Sequence, residues 1–170
     1  MKYTPTDVDG VTIVDLEPHR DDRGFVSRSF CAGEFAANGL TSPVVQTNIS
    51  YNYTRGTLRG LHQDAEAKLV RCTRGAIVEV AVDVRPESPT YRKHVMVQLS
   101  AENRRMMYVP RGFAHGILTL EGDTEAFYLV SARRALERPA LCDRLAGRAP
   151  LTSDKDARQC DFDPAWHLAG

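Results

Sequence analysis

The sequence predicts an all-β sandwich or barrel, and two observations carry that prediction. Short runs alternating apolar and polar residues recur at roughly eight- to twelve-residue spacing, separated by Gly- and Pro-containing turns. The run Ala76 to Arg85 (AIVEVAVDVR) puts Val78, Val80, Val82 and Val84 on one face and Glu79, Ala81 and Asp83 on the other. That β-branched period of two is the clearest strand in the chain. A chain of 170 residues suffices for one domain with a real core, and residues 1–170 are read as one unit.

In chain order, Val11 to Leu16 is a first strand, His19 to Gly24 a charged turn, and Phe25 to Phe30 a second strand. Cys31 to Asn38 suits a short helix stopped at Gly39. Pro43 to Ser50 alternates again, with Gln46 and Asn48 sharing a face with Val44. Two carboxamides there fit plain surface or hydrogen bonds to a polar ligand. Leu69 to Cys72 precedes a turn at Thr73-Arg74-Gly75, and Ala76 to Arg85 follows. His94 to Leu99 and Met106 to Val109 are further strands. Pro110-Arg111-Gly112 breaks the pattern, and Arg111 reads as structural. Ile117 to Leu120 and Ala126 to Ser131 flank a Gly-containing turn and read as a hairpin. Ala132 to Leu145 suits a helix interrupted by Pro139, the tail is irregular from Ala146, and Trp166 is expected to pack against the body.

Composition narrows the function classes. Basic and acidic residues balance at 22 each, which argues against a protein built to coat nucleic acid or an anionic membrane. No apolar run approaches membrane-spanning length, and the first ten residues lack the apolar core of a secretion signal. Cys31, Cys72, Cys142 and Cys160 form no CxxC pair, so reduced thiols and a cytoplasmic location are expected.

The chemistry concentrates in Gly56 to Lys68 (GTLRGLHQDAEAK). Arg59, His62 and Lys68 stand within ten residues. Strand alternation predicts Arg59 and Leu61 on one face, Gly60 and His62 on the other. Gly60 would then leave room beside His62 for a close approach. A base that titrates near neutrality, beside two cations, suits an anionic ligand that loses a proton; the alternative is a solvated strand edge.

Several motifs in order resemble those of the dTDP-4-dehydrorhamnose 3,5-epimerases. They are Asp22-Arg23-Gly24, Gln46-Thr47-Asn48, Gly56 to His62, Val82 to Arg85 with Ser88 to Tyr91, Val109 to Gly116, and Ser153 to Asp156. The resemblance runs from about residue 11 to 156. It implies a cupin-type double-stranded β-helix, a jelly roll with short peripheral helices. It also implies a homodimer and a ligand in the barrel mouth, with no metal and no organic cofactor. The substrate it implies is a nucleotide-linked 4-keto-6-deoxy sugar, whose ketone acidifies the hydrogens at C3 and C5. Residue by residue, His62 matches the base and Asp156 the carboxylate that orients it. Lys68 and His115 match the groups at the ketone oxygen, and Tyr128 the acid on the opposite face. Arg23 and Arg59 match phosphate and sugar contacts; Gln46 and Asn48 match nucleotide-sugar contacts.

The chain departs from the family pattern in three places. The His62–Lys68 loop is about four residues shorter, and Lys68 reaches the site only if the next strand keeps register. Arg28 stands where the family has a glutamate, and Arg134 where it has an aromatic. Both positions are associated with the thymine end, so altered recognition of the nucleotide carrier is one expectation and surface arginines the other. The alternatives to a 3- or 3,5-epimerase are an isomerase on a differently activated keto sugar, a heptose for example, and a catalytically silent sugar-nucleotide-binding cupin. A metal-dependent cupin using His62, His94 and His115 is a further alternative.

Overall fold

The computed structural model describes residues 1–40, 44–63 and 65–132. Its strands are β1 (Lys2–Pro5), β2 (Thr12–Asp15), β3 (His19–Asp21) and β4 (Gly24–Val26). After helix α1 (Ala32–Ala37) come β5 (Gln46–Asn52), β6 (Leu58–Gln63), β7 (Lys68–Arg74), β8 (Ala76–Asp83), β9 (His94–Ser100), β10 (Met106–Val109), β11 (Phe113–Thr119) and β12 (Thr124–Val130). A six-stranded sheet runs β1-β2-β10-β7-β12-β5 and a four-stranded sheet β6-β11-β8-β9, with β3 and β4 forming a separate ribbon. Neighbouring strands are antiparallel.

The two large sheets pack face to face. Ile13, Val70, Met107, Val109 and Ala126 of the larger meet Ile77, Ala81, Leu99, Phe113 and Ile117 of the smaller. Removing these side chains from water is the main force holding the sheets together. Helix α1 covers the back of the larger sheet. There Phe35 meets Tyr3 and Tyr108 edge-on and joins Leu69 and Met106 in a second buried cluster. Burial pushes the Tyr3 phenol up to about 12.

Four expectations are corrected. His19 to Gly24 is not a plain turn: its two sides pair as the β3–β4 ribbon, and β4 ends at Val26 short of Phe30. Ile117 to Leu120 and Ala126 to Ser131 are not a hairpin. β11 already has β6 and β8 as neighbours, and β12 has β7 and β5, so Leu120 to Asp123 carries the chain between sheets. Alternation identifies strands but not their partners. Arg59 and His62 do not face opposite ways, because a bulge intervenes. His62 pairs with His115 and Arg59 with Ile117, two residues of β11 that share one face. The space beside Gly60 is taken by backbone: a Cβ there would lie 2.7 Å from Gly116 Cα, and its φ of +141° suits glycine.

Strand β8 turns its carboxylate-bearing face inward. Ile77, Glu79, Ala81 and Asp83 are fully buried, while Val78, Val80 and Val82 are half-exposed on the outer side. Asp83 accepts hydrogen bonds from Arg85 Nη2 (2.8 Å), Ser88 Oγ (2.5 Å) and Thr90 Oγ1 (2.7 Å). Burial would raise its pKa, but these bonds outweigh burial and hold it well below the usual carboxylate range. The segment Val82 to Tyr91 is therefore a brace at the end of β8. The predicted helix through Leu145, the Pro139 interruption, the irregular tail and Trp166 lie outside the described residues.

Candidate active site

The smaller sheet brings His62, His115 and Glu79 onto its inner face through the pairings of β6, β11 and β8. The larger sheet brings Lys68 and Tyr128 onto the facing wall, since Lys68 pairs with Val130, two residues from Tyr128 on the same strand face. Lys68 Nζ lies 2.5 Å from His115 Nε2, and His115 Nδ1 lies 2.7 Å from Glu79 Oε1. This chain links the two sheets through the interior. Lys68 is 2 % exposed, His115 9 % and Glu79 0 %. The Tyr128 ring centroid is 5.8 Å from Lys68 Nζ. The shortened loop does keep register, because Lys68 opens β7 opposite Val109 and Val130.

Polar groups extend the inner wall of the larger sheet along β5. Gln46 Nε2 donates to Asn48 Oδ1 at 2.7 Å, and Asn48 pairs with Tyr128 across the β5–β12 ladder. Asn48 Nδ2 is buried with no hydrogen-bond partner. Arg59 crosses from the smaller sheet to the larger. Its Nε donates to Asn52 Oδ1 at 2.6 Å, and Asn52 is itself buried and tied to the carbonyl of Thr124. The Arg59 residue remains exposed, a cation held at the rim.

Arg23 and Arg28 stand apart from this set. Arg23 is 90 % exposed at the ribbon turn and pairs with Asp21 at 2.6 Å. Arg28 forms an ion pair with Glu34 and lines a cleft of about 540 Å³ with Met1, Glu17, His19, Val26 and Ser27. Neither touches the His62 cluster within one chain. His94 is exposed and pairs with Val82 on the outer face, so His62, His94 and His115 do not converge. Asp156 and Arg134 lie outside the described residues. Sequence reasoning missed Glu79 and Asn52. The face that Glu79 shares with Asp83 was the available signal for the first; nothing in local pattern marked the second.

Such an arrangement can deprotonate carbon: an imidazole on one wall, a cation for a developing enolate, and a phenol on the other wall. A sequence model of the dTDP-4-dehydrorhamnose 3,5-epimerase family matches residues 5–163. The chain belongs to that family. A Sinorhizobium fredii dTDP-4-dehydrorhamnose 3,5-epimerase is 43 % identical over 141 residues, covering 81 % of this chain and 72 % of that protein. Two solved epimerases share the fold, one of them from Bacillus anthracis with TDP and PPi bound. That structure has a TM-score of 0.82 at 35 % identity, covering 91 % of this chain and 95 % of its own. The other, from Legionella pneumophila, is in complex with dTDP-4-keto-L-rhamnose; its TM-score is 0.81 at 34 % identity, covering 92 % and 89 %. The two-sheet sandwich of this epimerase-family member is the cupin-type jelly roll of those structures.

Proposed function

We propose that this chain is an epimerase of a dTDP-linked 4-keto-6-deoxy sugar, working at C3, C5 or both. The observation that carries the reading is the Lys68–His115 contact at 2.5 Å inside the barrel, with His62 paired to His115 and Tyr128 beside Lys68. His62 removes the proton next to the ketone. Lys68, seated by His115, stabilises the enolate oxygen, and Tyr128 returns a proton to the opposite face of the sugar. Asp156 fills the role of the carboxylate that orients His62. Arg59, Gln46 and Asn48 contact the nucleotide sugar from the rim and the β5 wall, and Arg23 reaches the phosphates from its ribbon. The family match from residue 5 to 163 supports treating the chain as one domain.

A dTDP carrier is favoured by the nucleotides bound in the related structures. Arg28, paired with Glu34 and lining the cleft beside Met1, and Arg134 remain the residues through which this chain would contact the carrier end differently. Equilibrium binding of dTDP, UDP, CDP and GDP is expected to rank dTDP first. Membership of the epimerase family supports a homodimer. Free thiols at Cys31 and Cys72 fit a cytoplasmic setting. Incubation with dTDP-4-keto-6-deoxyglucose in D2O, followed by NMR, is expected to place deuterium at C3, C5 or both. Absence of exchange at both carbons would overturn the reading and leave a binding protein or an isomerase of a differently activated keto sugar.

A further inference from the structure

Glu79 is a fully buried carboxylate whose second oxygen, Oε2, has no hydrogen-bond partner. A carboxylate kept so poorly satisfied inside a sandwich does not serve stability, since desolvating it costs more than one hydrogen bond returns. Its one bond runs to His115 Nδ1, and the other nitrogen of that ring meets Lys68. An ammonium has hydrogens to give and no lone pair to receive one. If Lys68 is charged, His115 Nε2 must accept, so the ring proton sits on Nδ1 and is donated to Glu79. The chain then reads carboxylate, neutral imidazole, ammonium, and its net charge is zero.

We propose that Glu79 is a positioning residue for the group at the ketone oxygen: its carboxylate fixes the His115 tautomer and supplies the negative charge that keeps Lys68 an ammonium inside the barrel. The role given to Lys68 rests on the epimerase reading above. Without Glu79, the Nδ1 proton loses its acceptor and the ring is free to carry hydrogen on Nε2. That hydrogen would confront the ammonium, donor against donor. Lys68 would then shed its proton or leave its place. The other described titratable or charged groups on the inner faces are His62, opposite His115 on β6, Arg59 on β6 in register with Ile117 and Glu79, Asp83 on β8, Cys72 on β7 and Tyr128 on β12.

The test uses full-length protein without substrate, so its outcome does not depend on turnover. NMR of protein carrying 15N-labelled histidine and lysine reports both ionisations. In wild type, His115 is expected to carry its proton on Nδ1; a proton on Nε2 overturns the proposal without any mutation. In Glu79→Gln, which keeps an acceptor oxygen but removes the charge, the Lys68 titration midpoint is expected to fall by about one pH unit or more. Glu79→Asp should bring it back towards wild type. If the reaction is also followed, the alkaline limb of the rate profile should move down with the Lys68 midpoint. A folded Glu79→Gln protein whose Lys68 titrates as in wild type reduces Glu79 to a structural residue. Failure of the whole chain to exchange C3 or C5 hydrogens would instead count against the epimerase reading and leave these resonances informative.

Discussion

At the residue scale, the proposed roles separate by which step each group serves. His62→Ala is expected to lose at least about a hundredfold in C–H exchange, the lower range for removing a general base. Tyr128→Phe should slow epimerisation much more than first deuterium uptake, because deprotonation precedes use of the acid. Solvent exchange and product formation measured in one NMR time course separate the two; equal losses would remove Tyr128 from the acid role. His62, Lys68 and His115 were legible from the stretches Gly56 to Lys68 and Val109 to Gly116, whereas Tyr128, in a plain strand run, was named only through the family resemblance. Glu79 was not legible. A single glutamate opposite four valines reads as the wet side of a strand, yet here the valines face outward and the glutamate inward. Hydrophobic period gives the two faces of a strand, and only the packing of the second sheet decides which is buried.

At the element scale, the bulge between β6 and β11 aligns the rim with the interior. It turns Arg59 to the same side as His62, against simple alternation. Gly60→Ala would drive a Cβ to 2.7 Å from Gly116 Cα and 3.1 Å from the His115 carbonyl oxygen, both backbone atoms with little room to move. A stability loss of roughly 2 kcal/mol or more is expected, with exchange activity falling too, because His62 and His115 flank the strained contact. Thermal melts and D2O exchange on the purified variant check this. The brace on Asp83 predicts a pH effect of definite sign. Its folded pKa lies below the unfolded value of about 3.9, so its contribution is present above that value and fades as pH falls towards the folded one. Asp83→Asn should cost about 3 kcal/mol near neutrality, and the gap from wild type should shrink below about pH 4. Denaturant melts at pH 7, 5 and 3 would show it; a gap constant down to pH 3 would argue against the brace.

At the scale of the whole molecule, strand positions were largely legible and their assembly was not. β10 was predicted to the residue and β8 and β9 nearly so, because alternation and turn residues are local signals, whereas β7 extends from Lys68 to Arg74, so Thr73 and Arg74 of the expected turn belong to the strand. Which strands pair is decided by long-range contacts, so the sequence suggested a hairpin where the chain actually changes sheets. A homodimer is expected from the family resemblance, and light scattering should return about twice the monomer mass of 18.9 kDa. A monomer at micromolar concentration would dismiss that prediction.

The Lys68–His115 contact spans the gap between the two sheets. The proposed base, His62, is rooted in one slab of the sandwich and Lys68 in the other, so under that reading reactivity depends on how the slabs are seated, beyond whether each is intact. Warming that lets them shear by an ångström would silence turnover while every strand still held its ladder. Catalysis should therefore fade several degrees before circular dichroism registers melting.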